Sequence, residues 1–466
     1  MISVVKELKK NNAEANLIID GLLNEYALTE TPIEVSFRAL IPEFKKADRY
    51  THLIHSYPAK LLMHIPYFFL RNNIFSKPGD TILDPFCGTG TVLLESVLAG
   101  RNAIGADANP LARLIAKVKT ANYCIETLYN ILSRLIDKED DRQFENSFPD
   151  VVNIDYWFNA QNKKALLLLR NKIHTIEDND YQDFFLVCFS NLIKKVSYAD
   201  PRVSVPVRLN AKRYVEGTAN FKKVEKRLAE LEDIDVFSKF EAIARENINR
   251  FQELGKIYEE RVTPVTSNII SKDARNLTVS LDSDSNLVDH SVDLIITSPP
   301  YAGAQKYIRS SSLSLGWLGF ANANELKHYD QLNIGRENYS KLERAIKKTN
   351  IQSCDSLISD VSLINPTRAQ IISNYIVEMQ SAIIESIRVL KPNGYFILIV
   401  GNNKVCNYEF NTQEYLSEFI QSKGLKLVLK LIDDIKSYGL MTKRNKTADI
   451  ISREWVLIFK KPADEN

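Results

Sequence analysis

The chain has 466 residues, with 60 Lys and Arg against 58 Asp and Glu, 45% hydrophobic and 25% charged residues. That balance is ordinary for a globular protein of roughly two to four domains, and it excludes a mainly disordered or collagen-like chain. Five cysteines lack paired spacing and the six histidines contain a single close pair, His52 and His55, so reduced thiols, a cytoplasmic location and no metal site are expected. No stretch approaches the roughly 18 uncharged apolar residues of a membrane span, and residues 1–12 lack the pattern of a signal peptide.

Residues 1–50 read as a mixed lead-in with little internal pattern. The apolar run AKLLMHIPYFFLR (59–71) predicts a helix bent near Pro66. Pro78-Gly79-Asp80 marks a turn, TILDPF (81–86) a short buried strand, and TVLLESVLAG (91–100) a helix stopped by Gly100. NAIGAD (102–107) is a second strand, and NPLARLIAKVKTA (109–121) a second helix with Pro110 suitably placed at its start. This alternation has the spacing of a parallel α/β unit.

Residues 122–262 then read as mainly helical. YQDFFLVCFSNLIKKVSYA (181–199) is the clearest apolar-faced helix, and residues 221–260 predict one or two long surface helices. Segment 161–227 holds 14 Lys and Arg against 7 Asp and Glu, a local basic excess. Strands return with TSNIISKDARN (266–276), ending at Asp273, and VDLIITSPPY (292–301). A mostly helical stretch (338–389) precedes RVLKPNGYFILIVGNN, read as helix end, turn and strand, and 425–435 and 453–461 are the last two strands. The expected fold is an α/β sheet interrupted by a mainly helical insert. Its units are a 1–50 extension, a first sheet part at 51–121, the insert at 122–262 and a second sheet part at 263–466.

Two strand ends carry the chemistry. In DPFCGTGT (84–91), Gly88 and Gly90 permit backbone angles and close approaches that a side chain would block. A ligand at the carboxyl end of such a strand lies against that backbone. The turn lacks the lysine of a phosphate-cradling loop and the third glycine of a dinucleotide fingerprint. Asp107 ends the second strand, where a carboxylate can accept both hydroxyls of a ribose, and Asp273 repeats the placement on the third. Asp84, Asp107 and Asp273 together point to a nucleoside that is cationic or hydroxyl-rich, and Phe86 reads either as lining its side or as core packing. Cys87 has no base beside it in sequence and reads as a small buried residue. At the other strand end, Pro299 and Pro300 remove two N–H donors and leave the preceding carbonyls free, while Ser298 adds a hydroxyl acceptor and Tyr301 a flat ring. Such a tip can grip an exocyclic amino group and stack on a base.

These segments resemble the S-adenosylmethionine-dependent DNA amino-methyltransferases, most closely the cytosine-N4 group. DPFCGTGT is similar to their cofactor loop, HSYPAKL (55–61) to the segment packed on the methionine part of the cofactor, GADANPLA (105–112) to the ribose-binding segment, and SPPY (298–301) to the catalytic tetrapeptide. The resemblance covers about residues 51–121 and 265–403. It implies a Rossmann-like methyltransferase sheet and S-adenosylmethionine held by Tyr57, Pro58, Lys60, Asp84, Phe86, Gly88, Gly90, Asp107 and Asp273. It further implies catalysis by Ser298, Pro299, Pro300 and Tyr301 on a flipped base of double-stranded DNA. The large helical block precedes Asp273, unlike the common order with the target-recognition region between the third cofactor segment and the tetrapeptide. A cytosine-C5 mechanism needs a Pro-Cys dipeptide, which is absent, and Ser in place of Asp or Asn before the prolines favours cytosine over adenine. DNA contacts are expected from Arg202, Arg208, Lys212 and Arg213 in the helical block and from Lys306 and Arg309 after the tetrapeptide. A separate restriction endonuclease would complement such an enzyme. The competing readings are an adenine-N6 methyltransferase, an RNA guanine-N2 methyltransferase, against which the short 50-residue lead-in argues, and a non-catalytic DNA-binding relative.

Overall fold

The computed structural model describes residues 2–42, 44, 49–58, 60–137, 147–261, 263–303, 307–340, 343–434 and 453–463. The lead-in contributes helix α1 (Ile2–Thr29), strand β1 (Ile33–Val35) and a single turn, α2 (Phe37–Leu40). After α3 (His64–Leu70) come β2 (Thr81–Asp84), α4 (Thr91–Leu98), β3 (Asn102–Ala106) and α5 (Pro110–Thr120). The helical block holds α6 (Ile125–Ile136), α7 (Ile154–Trp157), α8 (Ala160–His174), α9 (Asn179–Lys195), α10 (Ala219–Glu232) and α11 (Val236–Glu259). Next are β4 (Ser267–Ser271), β5 (Val292–Thr297), α12 (Tyr307–Leu318), α13 (Leu326–Leu332), α14 (Gln352–Ile364) and α15 (Pro366–Val389). The chain closes with β6 (Leu390–Val400), a small hairpin of β7 (Asn403–Val405) and β8 (Tyr408–Phe410), α16 (Thr412–Ser422), β9 (Lys426–Asp434) and β10 (Arg453–Lys460). Among the described residues no helix is long and apolar enough to cross a membrane.

One sheet of eight strands runs in the order β1-β9-β10-β6-β5-β2-β3-β4. β10 is antiparallel to both neighbours, and every other pairing is parallel. This is the α/β sheet expected from the alternating pattern. β5 (VDLIIT) is buried on both faces from Leu294 to Thr297, as the apolar run after Asp293 requires for a central parallel strand. The chain leaves β2 toward β3 on one side, while β5 lies on the other. The crevice between the carboxyl ends of β2 and β5 is therefore a topological switch point, where open α/β sheets bind ligands.

Three expectations need correction. The lead-in is not patternless: β1 extends the sheet by pairing with β9, Ile33 opposite Leu431. The helix at 59–71 begins only at His64, so Pro66 sits in its first turn. The first N–H groups of a helix have no intrahelical partner, and a proline there removes nothing. The stretch 221–260 is two helices, of which α11 is no surface helix, since Phe240, Ile243, Ile248, Phe251 and Leu254 are buried. They share one core with Leu111 and Ile115 of α5 and with Leu313 and Trp317 of α12, which anchors the helical block against the sheet domain.

Ile295 is fully buried in β5, opposite Leu83 of β2. Ile295→Ala is expected to lower stability by about 2–5 kcal/mol, read as a fall in the urea midpoint. Leu363→Ala, at the 86% exposed end of α14, should stay within about 0.5 kcal/mol of wild type.

Candidate active site

At the switch point β2 runs into Pro85–Gly90 and β5 into Ser298–Gly303. The two tips are joined by the Thr297 hydroxyl, which donates to Asp84 Oδ1 at 2.6 Å. Gly88 and Gly90 have φ of 50° and 75°, so the turn uses the left-handed region that glycine adopts without strain. The turn is fixed to β3 by the Cys87 N–H donating to the Ala106 carbonyl (2.9 Å) and the Gly88 N–H donating to Asp107 Oδ2 (3.0 Å). A Cβ on Gly90 would stand 3.0 Å from Ala116 Cβ, so this glycine also lets α5 approach.

A cleft of about 880 Å³ opens between these tips. Asp84, Phe86, Gly88, Asp107 and Asp273 line it together with Tyr57 and Lys60 on one side and Ser298 and Pro300 on the other. Gly90 lies behind the turn, Pro58 faces a neighbouring groove, and neither Pro299 nor Tyr301 is among the lining residues. The Tyr301 hydroxyl donates to Glu454 Oε1 at 3.1 Å, which tethers the ring at the start of β10. Lys306 lies outside the described residues.

The carboxylates differ in their surroundings. Asp84 is 4% exposed, and Oδ1 accepts from Thr297 and from the Phe86 N–H (3.1 Å). Burial pushes its pKa up to about 7, against the lowering effect of those two hydrogen bonds. Asp107 is also raised by burial; its oxygens accept the Gly88 and Asn109 N–H groups, at 3.0 and 2.8 Å. Asp273 stands two residues beyond the end of β4 rather than at it, and Arg275 holds its carboxylate in a bidentate pair, Nε to Oδ1 2.9 Å and Nη2 to Oδ2 2.7 Å. Burial holds the Cys87 thiol protonated, which leaves it a packing residue under Gly105.

The segment carrying Tyr57 and Lys60 is pinned from behind. Glu95 of α4, 1% exposed, accepts from Arg49 Nη2 and bonds His52 Nε2, both at 2.7 Å. Burial alone would raise the Glu95 carboxyl; Arg49 and His52 outweigh it and hold the pKa below the usual range. Burial lowers His52 to about 4 despite Glu95. Lys60 Nζ donates to the His52 carbonyl at 3.0 Å. Tyr57 is placed by Asn109, the N-cap of α5, whose Nδ2 donates to the Tyr57 hydroxyl (2.9 Å) and to Ser311 Oγ (3.1 Å).

Sequence reasoning missed the opposite wall. Lys272, Leu332, Asn333 and Ile334 also line the cleft. Residues 332–334 form a strap at the end of α13, held by Arg275 Nη2 to the Leu332 carbonyl (3.3 Å) and by the buried Arg336 on Glu378 (2.8 Å). The strap also fits against the tip after β5. Gly335 has φ of 80°, and a Cβ there would stand 2.7 Å from the Tyr301 carbonyl oxygen. No sequence pattern announces this strap, because only the folded chain brings it to the strand tips.

A DNA methylase family model matches residues 48–117, the segment that supplies Glu95, the glycine turn and Asp107. Type II methyltransferase M.MvaI of Kocuria varians is 24% identical over 418 residues, covering 86% of this chain and 87% of that protein. Type II methyltransferase M.MjaII of Methanocaldococcus jannaschii is 27% identical over 395 residues, 70% of each. These matches support a DNA amino-methyltransferase family for this chain. A tRNA (guanine(10)-N2)-dimethyltransferase of Methanothermobacter thermautotrophicus is 61% identical, but over 31 residues only, 7% of this chain and 9% of that protein.

The Asp84 carboxyl gives a pH signature. Its pKa is about 7 in the folded protein, against roughly 3.9 for an unfolded aspartate. The native state therefore binds the extra proton between these values. Asp84 makes the ligand-free protein lose stability as pH rises from about 4 to about 7, with no further loss above that. Denaturation midpoints for Asp84→Asn should show a shallower descent across this window. A descent equal to wild type would mean that Asp84 is not buried in its protonated form.

Proposed function

We propose that this DNA amino-methyltransferase modifies the exocyclic N4 amino group of cytosine in duplex DNA, as the modification enzyme of a type II system with a separate endonuclease. The observation that carries this reading is the shared cleft: Ser298 and Pro300 face the same space as Asp84, Gly88 and Asp107. The full-length likeness to type II methyltransferases supports a DNA substrate, whereas the tRNA enzyme matches only a short segment.

The residues fit S-adenosylmethionine. A buried carboxyl at Asp84, bonded through Oδ1, suits the ammonium of the amino-acid part, which would favour its ionised form. Asp107 keeps lone pairs for two ribose hydroxyls after accepting its two backbone N–H groups. Gly88 lets the ligand lie against the backbone, Phe86 offers an apolar side, and Tyr57 and Lys60 close the methionine end. Asp273, already paired to Arg275, can accept from a base edge only with its remaining lone pairs. When bound, the cofactor supplies an electrophilic methyl group on a cationic sulfur.

The cytosine amino group is a poor nucleophile because its lone pair is delocalised into the ring. Ser298 and the Pro299 carbonyl would accept its two hydrogens, favour a more pyramidal nitrogen and stabilise the positive charge that grows there. No strong base is needed at the outset, since this nitrogen becomes acidic only as the new bond forms. Tyr301, tethered by Glu454, would stack on the base once it has left the duplex. Arg202, Lys212, Arg213 and Arg309 are candidate phosphate contacts, and Lys306 is proposed with them. Arg208 lies over the rings of Tyr198 (4.3 Å) and Tyr156 (4.7 Å), a geometry that leaves its edge for a phosphate or base.

Nucleoside mass spectrometry of duplex DNA methylated in vitro should yield N4-methylcytosine. N6-methyladenine would overturn the base assignment. Ser298→Ala should slow the reaction by about a hundredfold or more while S-adenosylhomocysteine binds as in wild type. Unchanged turnover would remove Ser298 from the mechanism.

A further inference from the structure

A second groove, of about 1100 Å³, runs beside the cleft and is unaccounted for by the cofactor or the strand tips. Five elements form its walls: the 55–58 segment, Leu111 of α5, the end of α9, the loop 201–206 and α12. The loop is an ordered structure. Asp200 N donates to the Val207 carbonyl (2.7 Å) and Leu209 N to the Tyr198 carbonyl (2.8 Å), and Lys194 Nζ bonds the Val203 and Ser204 carbonyls. Pro58, expected against the cofactor, lines this groove instead.

The lining suits a polyanion with many acceptor oxygens. Among the described residues it carries Lys194, Lys195 and Arg202 and no Asp or Glu. Asp200, just outside, pairs with Arg202 at 2.7 Å and also faces Lys194, while Glu246 of α11 faces Lys195 but is itself paired with Arg250, so Lys195 carries the excess positive charge. Lys195 is exposed, and among the described residues its ammonium has no hydrogen-bonded partner. The floor is a row of hydroxyls: Ser190 Oγ bonds His55 Nε2 (2.9 Å) and donates to Ser314 Oγ (3.0 Å), with Ser310 and Ser311 alongside on α12. Burial lowers His55 to about 4, so the ring is neutral and adds no charge. Tyr57 lines both spaces, and the Tyr57–Asn109–Ser311 bonds form the partition between them.

We propose that this groove seats the phosphodiester backbone of the DNA strand whose base enters the cleft. The Ser314 hydroxyl, which accepts from Ser190, keeps its proton for a phosphate oxygen, whereas Ser310 already donates to the Tyr307 carbonyl, and Lys195 supplies charge. The shared Tyr57 wall puts the sugar–phosphate track next to the reacting base. Such contacts position the strand without reading its sequence. The proposal rests on the DNA-methylation reading but not on which base is modified.

The test is equilibrium binding of a fluorescent duplex containing the target site, with S-adenosylhomocysteine present, across a salt series. The variants are Lys195→Gln and Ser310→Glu, neither of which lies in the cofactor cleft. Lys195→Gln should weaken DNA binding severalfold and reduce the slope of log K against log salt by about 0.9, the loss of one phosphate contact. Ser310→Glu, which places a carboxylate in the groove, should weaken binding by about tenfold or more. Both should bind S-adenosylhomocysteine as wild type does, which shows that the fold is intact. Wild-type DNA affinity and salt slope in both variants would overturn the groove assignment. Wild-type protein that fails to bind duplex DNA at all would instead overturn the DNA reading itself.

Discussion

The site depends on one pairing. β2 and β5 are parallel neighbours, in register at Ile82–Leu294 and Leu83–Ile295, and so end at the same level of the sheet. The 2.6 Å bond from Thr297 to Asp84 ties those ends together across the switch point. Everything chemically distinctive is arranged around it: the glycine turn after one strand, the proline-rigid tip after the other, and the cleft between them. Proline supplies stiffness on one side and positive-φ glycine supplies close approach on the other. These opposite backbone devices are needed where a small ligand and a base must meet.

Around that pairing, three supports fix the walls. Glu95 gathers Arg49 and His52 beneath the turn and so holds the segment bearing Tyr57 and Lys60. Arg336 and Arg275 hold the 332–334 strap against the far side. Glu454 restrains the Tyr301 ring from β10. Each uses a long-range polar contact between elements distant in sequence. The helical block shares a core with α5, which Asn109 caps, and with α12, which carries Ser311. Packing of the block is thereby coupled to the partition between cleft and groove.

The strand ends were legible because their signals are local. TILDPFCGTGT and VDLIITSPPY each join an apolar run to residues with special backbone demands, and both the period and the turn chemistry can be read within ten or so positions. Asp107 was legible for the same reason. The 332–334 strap was not, since its place at the cleft depends on Arg275 and Arg336 finding partners elsewhere. β1 was missed because a three-residue edge strand has no room to show a period. Pro58 and Gly90 fell one layer away from the expected contact. A motif identifies a segment, but which side of it faces the ligand is set by the packing of α5 and α9 behind it. The basic character of 161–227 was visible in composition, whereas its division between an offset Arg202, a ring-stacked Arg208 and a groove-facing Lys195 was not.

The central claim is that cofactor and acceptor share the cleft between β2 and β5. A crystal structure with S-adenosylhomocysteine bound would test it most directly. The account predicts the amino-acid ammonium at Asp84, the ribose hydroxyls at Asp107 and the sulfur on the side of Ser298. A ligand seated elsewhere, or a sulfur turned away from the Ser298–Tyr301 tip, would contradict it.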